Sequence, residues 1–131
     1  MLLYNAILLI DDDEEDQEIF MDALRVVDPQ LHCSVANDGE QAMELLTRDV
    51  LVIPDLIFID MNMPKLNGKQ VLQELKVSGT LRDIPVVMYS TFFSPKDIAE
   101  INALGAAHHM VKATRFDELC ELLKTILSTR W

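Results

Sequence analysis

Three aspartates in succession, Asp11-Asp12-Asp13, follow directly on the apolar run Ile7-Leu8-Leu9-Ile10, and Asp60 follows Leu56-Ile57-Phe58-Ile59 in the same way. Ser90-Thr91 closes the run Val86 to Tyr89, and Lys112 closes Ala107 to Val111. Carboxylates brought to one place repel one another unless a divalent cation sits among them. Mg²⁺ takes one or two carboxylates together with waters and phosphate oxygens, which matches Asp11, Asp12 and Asp60. An aspartate that attacks a phosphoryl group must approach an anion with an anion, and a metal and a lysine make that approach feasible. Lys112 can pair with one phosphoryl oxygen and the Ser90 hydroxyl can donate to another. A carboxylate nucleophile of this kind forms an aspartyl phosphate. The four glycines, Gly39, Gly68, Gly79 and Gly105, all lie outside the first strand–helix turn. That removes the dinucleotide fingerprint and the phosphate-binding P-loop, and with them a flavin or nucleotide site.

This chemistry requires the ends of distant runs to meet, so the intervening elements must bring them together. From Glu14 to Val27 the residues Ile19, Phe20, Ala23, Leu24 and Val27 fall on one helical face, and Asp28-Pro29 stops the helix. Leu31, Cys33 and Val35 alternate with His32 and Ser34, as in a half-exposed edge strand. Asp38 can cap a helix through Thr47, with Ala42, Leu45 and Leu46 inward. Met61 to Gly68, with Pro64 and the Asn67-Gly68 turn signal, is a loop. A helix through Val77 follows, burying Val71, Leu72 and Leu75. Another begins after Ser94-Pro95 and ends before Gly105. The last runs from Phe116 to Ser128, with Phe116, Leu119, Cys120, Leu123, Ile126 and Leu127 inward. Five strands alternating with five helices predict an α/β fold with a parallel sheet covered on both faces. Strands one, three and four are apolar throughout and central; strands two and five carry polar residues and are edges. Right-handed crossovers then favour the doubly wound, flavodoxin-like order 2-1-3-4-5, whose ligand site lies beyond the carboxyl ends of the strands.

The chain has 131 residues, half of them apolar and a quarter charged, enough for one ordinary domain, 1–131. Its net charge of −11 argues against a direct nucleic-acid or membrane-surface partner. Apolar stretches are too short for membrane insertion, and the N-terminus lacks the basic region of a signal peptide. Two cysteines, Cys33 and Cys120, are too few for a secreted disulfide scaffold, so a cytoplasmic protein with inert thiols is expected. Seven of the eight residues from Asp11 to Glu18 are acids. Asp13, Glu14, Glu15 and Asp16 suit a solvated helix start favoured by the macrodipole. His108 and His109 point to opposite faces of a strand and cannot chelate one metal together.

The segments Ile7–Asp13, Leu56–Gly68, Val86–Thr91 and Gly105–Lys112 occur in the order and spacing of the receiver domain of two-component response regulators, which the chain resembles over nearly its whole length. The resemblance implies Asp60 as phosphoacceptor, with Mg²⁺ held by Asp11, Asp12, Asp60 and the backbone carbonyl of Asn62. It implies Ser90 as the switch hydroxyl, Lys112 as the family's lysine and His109 at the position of the switch aromatic. The expected role is that of a stand-alone phosphoacceptor, not an enzyme with free substrates. It would be charged by a sensor histidine kinase or phosphotransfer protein and read by a downstream protein, with no output domain of its own. A homodimer stays open as its phosphorylated form.

Two positions depart from the family pattern: Ala113 replaces the usual proline after the lysine, and His109 replaces tyrosine or phenylalanine. A non-proline cis peptide costs about 2.5–4 kcal/mol, so Lys112-Ala113 is expected to be trans. A haloacid-dehalogenase-like phosphatase, with Asp11 and Asp13 as nucleophile and acid/base, is the alternative. That motif wants threonine or valine where Glu15 stands, and the family needs a larger core. A receiver that binds partners without phosphorylation is a third reading, set aside because the residue set is complete. An imidazolium cannot be buried cheaply without a partner. The inward rotamer of His109 is therefore expected to be less populated at pH 5.5 than at pH 7.5 once Asp60 carries a phosphoryl mimic. Histidine ring NMR across pH, with and without beryllofluoride, checks this, and identical titrations in the two states would remove the idea.

Overall fold

The computed structural model describes residues 3–48, 53–63 and 67–131. Five strands, β1 (Ala6–Ile10), β2 (His32–Ala36), β3 (Leu56–Asp60), β4 (Val86–Ser90) and β5 (His108–Val111), form one parallel sheet in the order β2-β1-β3-β4-β5. Between and after them run α1 (Glu14–Val27), α2 (Gly39–Thr47), α3 (Gly68–Val77), α4 (Pro95–Ala103) and α5 (Phe116–Leu127). The apolar strands β1, β3 and β4 are buried at every residue, while β2 and β5 are the partly exposed edges. Alternating side chains divide the core into two layers. Leu8, Ile10, Ile57, Ile59 and Met88 pack with α2, α3 and α4, whereas Ile7, Leu9, Phe58 and Tyr89 pack with α1 and α5. In the second layer Phe20 meets the edges of Phe58 and Tyr89, with centroids 5.0 and 5.8 Å away.

Local chemistry sets the helix ends. Asp13, Asp38, Asn67 and Ser94 are N-caps whose side chains accept backbone N–H groups, and the caps of α3 and α4 are reciprocal boxes with Gln70 and Asp97. Helix α4 ends in a Schellman turn: Ala106 N–H donates to Ile101 O at 2.9 Å and Gly105 N–H to Asn102 O at 3.1 Å. Gly105, with φ +98°, supplies the left-handed residue that this turn requires. At the far end, the Trp131 indole N–H donates to Ile126 O, and the Tyr4 hydroxyl bridges Thr129 O and the Trp131 N–H.

Four details differ from the sequence expectations. Ile19 is 41% exposed, because it lies roughly 90° around α1 from the centre of the Phe20–Ala23–Leu24–Val27 stripe. Phe116, expected inward, is 46% exposed: it is the first residue of α5, at the carboxyl edge of the sheet, where the first turn has little to pack on. Cys33 and Cys120 are only partly buried. Asn67-Gly68 is a helix start, not a turn; the loop reading of Pro64 falls outside the described residues.

Gly68 has a steric duty. A Cβ there would stand 2.5 Å from the Asp60 carbonyl oxygen and 2.8 Å from Met61 Cα. The start of α3 thus lies directly on the backbone that carries Asp60. Gly68→Ala is expected to destabilise the fold by about 1–3 kcal/mol through overpacking against backbone, read as a lower urea midpoint. An unchanged midpoint would mean that the β3–α3 junction yields freely.

Candidate functional site

The carboxyl edge of the sheet collects residues from four strand ends. Asp11 follows β1 and extends its ladder, donating its N–H to Ala36 O at 3.0 Å. Its side chain is wholly buried: Oδ1 accepts the Asp13 N–H at 3.0 Å, and Oδ2 has no hydrogen-bond partner. Asp60, the last residue of β3, is also buried and accepts the Asn62 N–H at 3.0 Å on Oδ1. Asp12 is exposed at the rim. One carboxylate oxygen from each of Asp11, Asp12 and Asp60 fits within 4.8 Å of the others. Burial pushes the Asp11 carboxyl up to about 7, against the lowering effect of the Asp13 N–H; the Asp60 and Asp16 charges raise it and Lys112 lowers it. A buried acceptor with no donor, between two further carboxylates, fits an oxygen-seeking divalent cation.

Opposite the carboxylates stands Lys112, one residue past β5, its N–H donating to Ser90 O at 2.8 Å. The ammonium donates to Asp16 at 2.9 Å and to Asp60 Oδ2 at 3.4 Å, and lies 4.9 Å from the centroid of the Tyr89 ring. Burial opposes its charge, but the Asp16 hydrogen bond and the Asp60, Asp11 and Asp16 carboxylates outweigh burial, so its pKa is raised. The buried Ser90 hydroxyl accepts from the Asn62 amide at 3.1 Å and donates to Phe92 O at 3.0 Å. The structure therefore brings Asp11, Asp12, Asp60, Asn62, Ser90 and Lys112 to one edge. The Lys112–Ala113 peptide is trans, and no described peptide is cis.

His109 sits apart from this group. Its half-buried ring meets Phe93 edge-on at 5.0 Å. His108 stacks on Trp131 at 4.6 Å, and its ring lies 5.8 Å from that of His109, so the two imidazoles are closer neighbours than opposite faces of a strand imply. Burial followed by the charge of His109 lowers the pKa of His108.

Several contacts escape sequence reasoning. Asp16, grouped above with the solvated helix start, is a partner of Lys112. Gln17 donates to Asp11 O at 2.6 Å and to Asn37 Oδ1 at 2.8 Å, tying the β1–α1 turn to the loop after β2. It is the one residue that interrupts the acids from Asp11 to Glu18, a signal that could have found it. Lys69 of α3 bridges Asp97 at 2.8 Å and Glu100, both on α4. It helps line a cleft that reaches Asn62, Ser90 and Phe92.

A doubly wound sheet with this acidic carboxyl edge is the architecture of a receiver domain, a class of signalling domain. Residues 7–124 match the response regulator receiver domain family, and the chain belongs to it. The response regulator Rcp1 of Synechocystis sp. is 28% identical over 127 residues, 94% of this chain and 86% of that protein. The transcriptional regulatory protein CpxR of Klebsiella pneumoniae is 35% identical over 123 residues, but the chain spans only 49% of its length. The crystal structure of the phosphorylated cyanobacterial phytochrome response regulator RcpA superposes with a TM-score of 0.84 at 30% identity, covering 95% of this chain and 91% of that one. A structure of Rcp1 has been determined in its Mn²⁺-bound form. Receiver domains bind a divalent metal, are phosphorylated by histidine kinases and bind downstream targets. The phosphatase alternative finds no support in these relationships. Asp13, which it would need as acid/base, instead receives the Glu15 and Asp16 N–H groups as the cap of α1. No described helix is long and apolar enough to cross a membrane.

The raised pKa of Asp11 has a consequence for stability. An acid whose folded-state pKa exceeds its unfolded value favours folding while protonated. Its contribution is full below about pH 4 and is lost as pH rises through about 7. In EDTA, Asp11→Asn is therefore expected to stabilise the chain at pH 8 by on the order of 2–4 kcal/mol, with a smaller gain at pH 5. Urea unfolding at the two pH values measures it. An equal gain at both would mean that burial does not set the titration of Asp11.

Proposed function

We propose that the chain acts as a stand-alone cytoplasmic receiver, in which Asp60 accepts a phosphoryl group from a histidine kinase or phosphotransfer protein. The observation that carries the reading is the Asp11–Asp12–Asp60 carboxylate cluster facing the Lys112 ammonium across the sheet edge. In the transfer, an Asp60 carboxylate oxygen forms a bond to phosphorus as the phosphorus–nitrogen bond of the donor phosphohistidine breaks. The departing imidazole keeps the electron pair and is neutralised by a proton. Lys112 pairs with a phosphoryl oxygen. Ser90 turns its hydroxyl from the Phe92 carbonyl to another, which releases the β4–α4 loop. Asp11, Asp12, Asp60 and the Asn62 carbonyl would hold Mg²⁺, which when bound offsets the negative charge on the phosphoryl oxygens. The packing of His109 on Phe93, in the β4–α4 loop, supports a coupling of His109 to that loop. The altered surface is then read by a separate protein.

Acetyl phosphate, another small phosphoryl donor, tests this directly. With Mg²⁺ present, one phosphoryl group per chain is expected, mapped to Asp60 and labile to hydroxylamine. Asp60→Asn or EDTA is expected to abolish the uptake. Undiminished uptake in either would overturn the assignment.

A further inference from the structure

We propose that Asp16 is a positioning residue for this phosphoryl transfer, a second seat for the Lys112 ammonium that is occupied before phosphorylation and vacated after it. The inference rests on the reading of Asp60 given above. Lys112 Nζ lies between two carboxylates, 2.9 Å from Asp16 Oδ2 and 3.4 Å from Asp60 Oδ2. A charge-assisted N–H···O bond is commonly about 2.7–2.9 Å, so the pairing with Asp16 is the fully formed one and the pairing with Asp60 is long. The Lys112 side chain is 15% exposed and that of Asp16 is 36% exposed, so the ammonium sits at the mouth of the site with Asp16 on its solvent side.

Phosphorylation changes what Asp60 offers. A phosphoryl group brings about two negative charges and three strong acceptor oxygens, where Asp60 alone presents one oxygen at a long distance. The ammonium is then drawn inward and Asp16 loses its cation. Asp16 can bear that loss, because it stands in the first turn of α1, where its own N–H is held by Asp13 and the helix dipole favours a negative charge. The chain thus converts a neutral ion pair into an exposed anion at the start of α1 each time Asp60 is modified. In the unmodified state Asp16 competes for the lysine that the phosphoryl group needs.

The experiment uses beryllofluoride as the phosphoryl mimic, followed by ¹⁹F NMR at saturating Mg²⁺, with Mg²⁺ affinity measured separately in its absence. Asp16→Asn removes the competitor and is expected to tighten beryllofluoride binding about two- to fivefold, the range of a partly exposed ion pair. The same variant is expected to weaken Mg²⁺ binding, because one negative charge leaves the edge. Glu15→Gln removes an equal charge from the same turn without touching Lys112 and is expected to have less effect on beryllofluoride. In the unmodified protein, the Asp16 carboxyl ¹³C and Lys112 Nζ signals are expected to shift together on adding beryllofluoride. This readout depends on no variant folding. Equal effects of Asp16→Asn and Glu15→Gln, or an Asp16 signal that stays still while beryllofluoride binds, would overturn the role of Asp16 and leave Asp60 standing. Beryllofluoride binding that survives Asp60→Asn, or is absent from the unmodified chain, would overturn the reading of Asp60 and this inference with it.

Discussion

One buried carboxylate oxygen without a donor, Asp11 Oδ2, sets the terms for the rest of the carboxyl edge. An unpaired anion in the interior is costly unless it is neutralised or paired. Lys112 is the one ammonium aimed into this group among the described residues, and it is shared between Asp16 and Asp60. The edge thus holds more negative charge than the protein's own cations offset. Protonation of Asp11 relieves the excess at low pH, and a divalent cation held by the cluster would relieve it at neutral pH.

Such an excess can persist only on a scaffold that does not relax. Asp60 belongs to β3, buried at every residue and flanked by β1 and β4, both equally buried. From below it is braced by Gly68, whose missing side chain lets α3 rest on the Asp60 carbonyl. Gln17 fixes the carbonyl of Asp11 and reaches Asn37 in the loop after β2, so these turns at the edge are joined by specific hydrogen bonds. On the proposed function, the contacts that a phosphoryl oxygen replaces are the Ser90 hydroxyl on Phe92 O and the ammonium on Asp16.

The fold was legible because burial on both faces leaves uninterrupted apolar runs, and the edge strands betray themselves by His32, Ser34, His108 and His109. The strand-end residues of the site were legible for the same reason, since parallel topology carries the ends of all strands to one edge. What escaped depends on three-dimensional placement alone. Nothing in the spacing links Asp16 to Lys112, 96 residues away. Phe116 was misjudged because periodicity gives the angle around a helix but not where the sheet beneath it ends, and Ile19 because it lies at the margin of its stripe, roughly 90° from the centre. Gly68 looked like turn chemistry, yet its reason is a close approach between backbones.

Lys69 gives the site a mechanical side. One ammonium on α3 is gripped by two carboxylates from successive turns of α4, and one of these, Asp97, also receives the Ser94 N–H that begins α4. The linkage acts as a strut between two helices whose first turns flank the Ser90 loop. Drawing α4 away from α3 would break this ionic joint. Because the joint is partly open to water, dissolved salt weakens it. The hold of α3 on α4 is therefore tied to the ionic strength of the surroundings.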